Sequence, residues 1–426
     1  FYMIREEYKP RIIDDIIEKY LINFGAICIE GPKWCGKTWT SSFHSKSSIY
    51  LGDPRGNFQN RSLAQISPDL VLEGEAPRLI DEWQEVPQLW DGVRFKVDQT
   101  GKKGQFILTG SSTPNHKGIL HSGAGRIARL RMHPMSLYEM GKSSGDISLE
   151  DLCNEKFMPK MTGEVKLKDL IDYIIRGGWP SNNDTLLEEA ISIPMQYINA
   201  IVEDDVFRLD GIKRNKDKMK LLLRSLARNE STTVTNISLA KDIREKDDAE
   251  IDKNSVTEYL DIFNRLFLIE NQAPFATKIR SSVRVKQAEK RHFCDPSIAC
   301  ALLNASPDKL LNDLETLGFL FEALVERDLR IYAESFEASL YHYQDYNNNE
   351  IDAVIEMGDG RWCAFEIKLS ANQIDAAAKN LLDINQKIKD ENGKPASVLC
   401  VICGMSNAAY KRPDGVYVVP ITALKN

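Results

Sequence analysis

The sequence predicts an α/β protein of three domains, and three observations lead to this prediction. Short apolar strands alternate with helical stretches up to about residue 145, which is typical of a parallel sheet covered by helices. Helical apolar spacing then dominates from residue 170 to 267, and strands return after about residue 295. We therefore predict a parallel-sheet domain at 1–145, a helical and winged-helix domain at 146–294 and an α/β domain at 295–426.

Composition excludes several classes of protein. Of the 426 residues, 42% are hydrophobic and 27% are charged, which fits a globular chain with substantial cores. No apolar run approaches the roughly 18 residues that a membrane-spanning helix needs. The eight cysteines lack the spacing of a disulfide framework. A net charge of −7 argues against nucleic-acid binding over most of the protein surface, although local basic patches remain possible. We expect a cytoplasmic protein with no membrane partner.

The first domain is predicted from short β-rich runs. The predicted strands are 26–30, 48–51, 78–81, 105–109 and 127–132. Five strands suffice for an open sheet. The polar, glycine-rich stretch GKSSGD at 141–146 is predicted to be the linker that follows.

The middle domain contains the clearest helix of the chain, in the segment NSVTEYLDIFNRLFLIE. Ser255 and Glu258 match a capping box at its start. Its apolar face is made of Val256, Tyr259, Leu260, Phe263, Leu266 and Phe267. A shorter helix at 238–245 precedes it, and a β-rich basic stretch follows through Phe293. The order helix, helix, strand pair predicts a winged helix.

The last domain mixes helices with strands. We predict a helix at 315–333, a hairpin at 351–368, a further helix, and strands at 397–403 and 415–420. Cys400 and Cys403 lie in the apolar run SVLCVICG. Because residues three apart on a strand point to opposite faces, this CxxC predicts a buried strand and not a metal site.

A phosphate-binding loop follows the first strand. The residues are Gly31, Pro32, Lys33, Trp34, Cys35, Gly36, Lys37 and Thr38, which match G-x-x-x-x-G-K-[ST] between an apolar strand and a helical stretch. Glycines let backbone N–H groups close around phosphate oxygens, the lysine reaches the β- and γ-phosphates, and the threonine hydroxyl holds Mg²⁺. These eight residues predict binding of ATP with Mg²⁺.

Residues at the ends of two further strands are predicted to complete this site. RLIDEW ends in Asp81, which would share the Mg²⁺ with Thr38, and in Glu82, which would polarise the attacking water. QFILTGSS ends in hydroxyl side chains, of which Ser111 would sense the γ-phosphate or orient water. The alternative is that these hydroxyls cap the next helix.

Three arginines follow at positions 126, 129 and 131. Arg126 or Arg129 is our candidate for a residue that acts on the γ-phosphate of a neighbouring subunit, which would require an oligomer. The alternative is surface charge unrelated to phosphate, which would explain all three.

Several segments together resemble a known family. The phosphate loop, IDEWQ, FILTGSS, GRIARLRMHPMSLYE, GGWP, LLLRSLARN, HFCDPSIA, EIDAVIE and AFEIK are similar to prokaryotic AAA-type ATPases whose C-terminal region is a domain of unknown function. The resemblance covers nearly the whole chain. It implies an AAA-type domain that binds ATP, a winged helix in the middle, and a C-terminal domain similar to the PD-(D/E)xK restriction-endonuclease-like fold.

The C-terminal hairpin contains a candidate metal site. Centring its Gly-Asp-Gly turn on Asp359 places Asp352 opposite Glu366, with Lys368 on the same face as Glu366. Opposed carboxylates are destabilising unless a cation lies between them. We therefore predict Mg²⁺ or Mn²⁺ at Asp352 and Glu366, with Lys368 orienting or activating water.

The nuclease resemblance implies the same D...E-x-K arrangement and adds Glu322 as an extra acidic ligand. The chain departs from the nuclease pattern in one respect, because no Pro-Asp precedes the hairpin. The alternative is an ordinary ion pair between Glu350 and Lys368, with the other carboxylates facing water.

A basic stretch marks a candidate DNA contact. Residues 278–291 contain six basic side chains and one acidic one where a wing would lie, which predicts contacts with DNA phosphates. The outward face of the presumed recognition helix carries Thr257, Glu258, Asp261 and Arg265, which disfavours base reading. A second basic run at 213–220 is equally well explained as a solvated helix face.

The sequence thus predicts a Mg²⁺-dependent AAA-type ATPase that acts on DNA and carries a nuclease-like C-terminal domain. Two alternatives remain open. One is an ATP-switched regulator whose C-terminal domain binds without cleaving, and the other is a protein-directed ATPase whose winged helix is a protein interface.

Overall fold

A computed structural model describes residues 7–113, 120–244, 253–278 and 280–426. Residue contacts group them into two compact units. The first unit comprises the described residues up to Pro134 together with Glu203–Arg214 and Asp261–Leu268, and the second comprises the remainder. Two segments of the predicted middle domain therefore group with the N-terminal part. The three predicted domain ranges stay a prediction.

The first unit is built on a parallel sheet. Its elements up to Pro134 are α1 (Ile13–Asn23), β1 (Ala26–Glu30), α2 (Lys37–Phe43), β2 (Ser47–Tyr50), α3 (Arg55–Ile66), α4 (Pro68–Val71), β3 (Arg78–Asp81), α5 (Gln88–Thr100), β4 (Phe106–Gly110) and β5 (Ile127–Arg131). The strand order is β2-β3-β4-β1-β5, and every neighbouring pair is parallel. All five predicted strands are confirmed to within one residue at each end.

Burial on both faces explains why these strands could be predicted from short apolar runs in the sequence. Every residue of β1 and β4 is buried, as expected for central strands covered by helices on both sides. One core cluster contains Trp83 and Trp90, and the other contains Ile17 and Ile107. The sheet therefore holds its strand ends, where the phosphate loop begins, on a rigid base.

The later elements follow in chain order. They are β6 (Ile147–Ser148), α6 (Leu149–Cys153), β7 (Lys160–Met161), α7 (Leu167–Arg176), α8 (Leu187–Ala190), α9 (Ser192–Ala200), α10 (Val206–Asp210), α11 (Lys216–Arg228), α12 (Asn236–Arg244), α13 (Lys253–Arg265), α14 (Val283–Lys286), α15 (Pro296–Leu303), α16 (Pro307–Asn312), α17 (Leu314–Ser335), β8 (Ser339–Gln344), β9 (Glu350–Glu356), β10 (Trp362–Lys368), α18 (Ile374–Asp390), β11 (Val398–Cys403), β12 (Ala408–Lys411), β13 (Tyr417–Pro420) and β14 (Leu424–Lys425).

The helices α12 and α13 lie where helices were predicted. The apolar face of α13 is buried as expected, but Ser255 lies inside the helix, so it does not cap the helix start. The predicted end of the preceding helix at residue 245 lies outside the described residues. Single antiparallel bridges join Ile269 to Phe293 and Gln272 to Lys290 where a strand pair was predicted. The winged-helix assignment stays a prediction.

The second unit contains a mixed seven-stranded sheet in the order β7-β12-β13-β11-β10-β9-β8. Its centre is parallel, from β10 through β11 to β13, and the flanking pairs are antiparallel. The helix α18 packs its apolar face into the core beside this sheet. Cys400 and Cys403 are both buried in β11, in agreement with the predicted strand.

A buried charge network joins four segments of the second unit. Arg327 donates to Asp295 Oδ2 at 2.9 Å and to Asp328 Oδ1 at 2.7 Å. The same two carboxylates accept from the backbone N–H groups of Gly178, at 2.8 Å, and Leu137, at 2.9 Å. A Cβ on Gly178 would lie 2.2 Å from the carbonyl oxygen of Met135, so this approach requires glycine. The GGWP and HFCDPSIA segments therefore meet at one structural junction.

Candidate functional site

The phosphate loop connects β1 to α2. Gly36 adopts φ 103°, a conformation that favours glycine, immediately before Lys37 begins the helix. At the start of the loop, a Cβ on Gly31 would lie 2.1 Å from the carbonyl oxygen of Met132. Both glycines of the motif are thus required by backbone geometry. The loop presents its N–H groups at a helix N-terminus, where anions are favoured.

Lys37 lies within this loop. The side chain is buried, and its ammonium donates to the carbonyl oxygens of Gly31 at 2.9 Å and of Pro32 at 2.7 Å. These two bonds hold a positive charge inside the curve of the loop. Electrostatics there favour a bound anion such as phosphate.

Asp81 connects the loop to the neighbouring strands. Its Oδ1 accepts from Thr38 Oγ1 at 2.9 Å and from Thr109 Oγ1 at 2.8 Å. Burial raises the pKa of the Asp81 carboxyl. A carboxylate and a hydroxyl are hard oxygen ligands of the type that holds Mg²⁺ together with substrate phosphates, so Thr38 and Asp81 fit the ion predicted for them.

Glu82 is held in place by its neighbours. The residue adopts φ 59°, a strained conformation for a non-glycine residue, directly after β3. Its Oε2 accepts from Ser111 Oγ at 2.8 Å and from the amide of Gln84. Its backbone N–H donates to Thr109 Oγ1 at 3.0 Å. The structure thus brings Ser111 to Glu82 and Thr109 to Asp81, while sequence analysis missed Gln84 because a lone glutamine carries no motif.

The arginines have intramolecular partners. Arg126 donates to Asp98 Oδ1 at 2.8 Å and is 49% exposed at its side chain. Arg129 pairs with Glu30 and stacks over the ring of Trp90 at 4.5 Å. These contacts explain the positions of both side chains within one chain. Action on the nucleotide of a neighbour stays a prediction.

Two further contacts of the loop were not predicted. Arg11 is buried and donates to the carbonyl oxygens of Cys35 at 2.7 Å and His133 at 2.9 Å. Lys33 donates to Asp205 Oδ1 at 2.6 Å. No sequence signal marks either contact, because the partners are far apart in the chain.

The C-terminal hairpin has the predicted register. The pairs Trp362–Glu356 through Phe365–Ala353 confirm a turn centred on Asp359. Asp352 Oδ2 accepts from the backbone N–H of Ile367 at 2.8 Å and from Lys368 Nζ at 2.9 Å. Lys368 Nζ also lies 2.6 Å from Glu366 Oε2. Asp352, Glu366 and Lys368 therefore lie together, as the predicted hairpin register requires.

A second lysine lies in the same cluster. Lys290 is buried, pairs with Glu322 and has its Nζ 3.7 Å from Asp352 Oδ1. The ammonium groups of Lys290 and Lys368 thus lie where a cation was predicted. Within the described ranges, no group of three or more His, Cys, Asp or Glu side chains is arranged to hold a metal ion. A metal ion at Asp352 and Glu366 stays a prediction.

Burial and mutual repulsion set the charges of this cluster. Burial, together with the nearby Asp352, raises the pKa of Glu366 to about 8. Burial raises the pKa of Glu322 to about 7, against the opposing effect of Lys290. Burial by itself would raise the pKa of Asp352, but Lys368 and Lys290 hold it below its usual value. Asp352 is therefore the carboxylate that stays charged, and Glu322 and Glu366 are each protonated in part near neutral pH.

The basic stretch at 278–291 is partly used inside the protein. Arg284 makes a two-bond pair with Glu356 at 3.0 and 2.9 Å. Arg291 donates to Asn236 Oδ1 at 2.8 Å, and Lys290 belongs to the carboxylate cluster. Arg284, Lys290 and Arg291 thus have internal partners. DNA contact through this stretch stays a prediction.

No helix in the described parts of the chain is long and apolar enough to cross a membrane.

Comparison with known proteins assigns the N-terminal region. Residues 23–141 match the sequence model of an AAA domain, and residues 167–309 and 317–424 match two domains of unknown function (DUF8612 and DUF4143). The uncharacterized proteins Mb2031c of Mycobacterium bovis and Rv2008c of Mycobacterium tuberculosis are each 23% identical over 346 residues, which is 80% of this chain and 70% of theirs.

Solved structures show partial likenesses. The Walker-type ATPase Paby2304 of Pyrococcus abyssi is 12% identical with a TM-score of 0.39, over 70% of this chain and 97% of that one. The replication initiator DnaA bound to AMPPCP and single-stranded DNA is 15% identical with a TM-score of 0.26, over 61% of this chain and 91% of that one. The assignment rests on the family match and the loop geometry, and residues 23–141 form an AAA-type, P-loop ATPase-like domain.

Proposed function

We propose that this chain binds ATP with Mg²⁺ and hydrolyses it. The observation that carries the proposal is the convergence of five side chains at the carboxyl ends of β1, β3 and β4, which are neighbours in the sheet. They are Lys37, Thr38, Asp81, Glu82 and Ser111. Ligands of open α/β sheets bind at this edge.

Each side chain has a distinct task in the proposed reaction. Lys37 and the loop N–H groups bind the phosphates, and Thr38 and Asp81 would hold the ion. When bound, Mg²⁺ neutralises charge on the phosphate oxygens. Glu82 orients the attacking water, and its bond from Ser111 fixes the carboxylate. Phosphoryl transfer depends mainly on such positioning.

Two substitutions separate binding from hydrolysis. Lys37→Ala should abolish ATP binding, because the loop loses its buried positive charge. Glu82→Gln should keep binding and stop hydrolysis, because water activation is lost. Binding is measured by titration with a fluorescent ATP analogue, and hydrolysis by phosphate release.

The matched controls are Lys46→Ala and Glu75→Gln, two exposed partners of one surface pair with 59% and 72% exposed side chains. Both should behave as wild type. Hydrolysis at the wild-type rate by Glu82→Gln would remove Glu82 from the mechanism.

A nuclease activity of the second unit is a second candidate function. The observation that favours it is that Lys368 contacts both Asp352 and Glu366, the three residues of the D...E-x-K pattern. The full chain should then nick plasmid DNA in the presence of Mn²⁺, and Asp352→Asn should not. The control is Asp359→Asn in the hairpin turn. Intact plasmid with the wild-type chain in both Mg²⁺ and Mn²⁺ would reject this candidate.

DNA as the partner of the ATPase is also a proposal, supported by the concentration of six basic side chains and one acidic side chain in 278–291. Faster ATP hydrolysis with added DNA would support it. Stimulation only by a protein partner would favour the protein-directed alternative.

A further inference from the structure

The phosphate loop contains a second lysine whose partner lies far along the chain. Lys33 is the third residue of the loop motif, and its Nζ lies 2.6 Å from Asp205 Oδ1. The lysine side chain is 43% exposed, whereas the Asp205 side chain is only 10% exposed. The carboxylate is therefore fixed in the fold, and the lysine is the partner that is free to move.

Asp205 lies in an unusual helical turn. Residues Ile201–Asp205 form a π-helix between α9 and α10. Such turns are rare and are found frequently at functional sites. After the turn, α10 ends at Gly211 with φ 76°, and Arg214 makes two bonds of 2.8 and 2.7 Å back to Asp210. The segment that carries Asp205 is thus anchored at its far end.

This turn is also where the chain changes unit. Contacts group Met135–Val202 with the second unit and Glu203–Arg214 with the first. The wide turn spans this division, and Asp205 is the residue that reaches the phosphate loop.

The loop after β4 also bonds to a segment that lies far along the chain, as Lys33 does. The N–H of Thr113, two residues after Ser111, donates to the carbonyl oxygen of Arg265 at 2.9 Å, and Arg265 Nε donates back to Thr113 O at 3.2 Å. Arg265 ends α13, and it is mostly buried, contrary to its predicted outward position. Both added segments of the first unit therefore bond directly to loops that border the site.

We propose that Asp205 is a positioning residue that holds Lys33 away from the bound nucleotide and releases it when phosphates arrive. The proposal rests on ATP binding at the loop. A triphosphate brings several negative charges within reach of the Lys33 ammonium, so phosphate and Asp205 compete for one cation. Because binding and release are linked, removing Asp205 must strengthen nucleotide binding, and nucleotide must loosen the turn.

The test is a double-mutant cycle measured as the dissociation constant for ATP. Asp205→Asn should lower this constant several-fold, and the gain should shrink for AMP, which brings fewer charges. In a Lys33→Met background, Asp205→Asn should leave the ATP dissociation constant unchanged, because the ammonium for which phosphate and Asp205 compete is absent. A purely structural role of Asp205 would give the same change in both backgrounds.

Hydrogen exchange gives an independent readout. ATP should speed exchange at 201–210 in the wild-type chain and should leave the already released turn of Asp205→Asn unchanged. The control is Glu75→Gln, which removes an exposed partner of Lys46 elsewhere in the first unit, and which should leave the ATP dissociation constant unchanged.

The outcomes separate the two proposals. Wild-type binding of ATP that is lost in Lys37→Ala upholds the nucleotide site. If Asp205→Asn then leaves ATP affinity unchanged, or changes it equally with and without Lys33, the role of Asp205 is overturned alone. Absence of ATP binding by the wild-type chain would overturn both.

Discussion

Arg11 shows how one side chain far from the motif can shape the phosphate loop. Its guanidinium donates to the carbonyl oxygens of Cys35 and His133, and the side chain is buried. This charged donor bonds to both carbonyl oxygens and so ties the phosphate loop to the segment after β5. Hydrogen bonds from charged groups each contribute about 1.5–3 kcal/mol.

We expect Arg11→Met to weaken ATP binding about tenfold or more, because the buried carbonyls lose their donor and the loop loses its fixed shape. The free energy of unfolding should also fall by about 2 kcal/mol. Titration with nucleotide and urea denaturation measure the two effects. Arg55→Met is the control, because that side chain is 81% exposed and pairs with Asp53, two residues before it. ATP affinity equal to that of the wild type in Arg11→Met would contradict the role.

At this scale the sequence predicted the motif residues and missed their supports. Lys37, Thr38 and Asp81 meet as expected because strand ends of a parallel sheet converge. Arg11 and Asp205 were missed because long-range pairs leave no local pattern. The sequence predicts that Lys290 lies in a DNA-binding stretch, yet the residue is buried and pairs with Glu322. Charge patterns alone do not reveal whether a side chain faces the solvent or the interior.

At the level of elements, the strands that are buried on both faces were predicted best. The strands β1 and β4 are buried on both faces and were read from continuous apolar runs, and the hairpin of β9 and β10 was read from its turn. The predicted wing was the weakest element. Two isolated bridges there give no repeating pattern of alternation, so the sequence could not define the pairing.

The hairpin and α17 give a prediction about charge compensation. Lys290 neutralises carboxylates contributed by both elements, so Lys290→Met should leave an uncompensated buried charge and destabilise the protein by about 3–5 kcal/mol. The vacated position should then accept Mn²⁺, and the ion should raise the melting temperature of this variant. Scanning calorimetry without ATP measures both effects.

The comparison is made in an Asp81→Asn background, which removes the competing ion site at the phosphate loop. Lys394→Met serves as the control, because this lysine is exposed and bonds to the turn carbonyl of Gly360. An equal Mn²⁺-induced rise with Lys290 in place would show that this lysine does not exclude the ion.

At the level of the whole molecule, the prediction for Arg126 concerns assembly into an oligomer. If Arg126 completes the site of a neighbouring chain, Arg126→Ala should bind ATP normally but hydrolyse it slowly, and mixing it with Glu82→Gln should restore activity at mixed interfaces. Steady-state phosphate release across mixing ratios measures the recovery.

Arg94→Ala is a matched control, because Arg94 pairs with the same Asp98 at 2.9 Å. Loss of the Asp98 pair alone would affect both variants equally. Equal slowing in both, or no recovery in any mixture of assembled chains, would favour a role of Arg126 within its own chain.

The grouping of Glu203–Arg214 and Asp261–Leu268 with the N-terminal sheet also bears on how the protein is made. A ribosome delivers the five strands of the sheet early, but the last segment of the same unit emerges only after residue 268. At about 5–20 residues per second, the nascent unit waits on the order of ten seconds for its missing pieces. Over about the first half of that interval the phosphate loop lacks Asp205, and an expression plasmid that stops near residue 145 would make this immature form permanent.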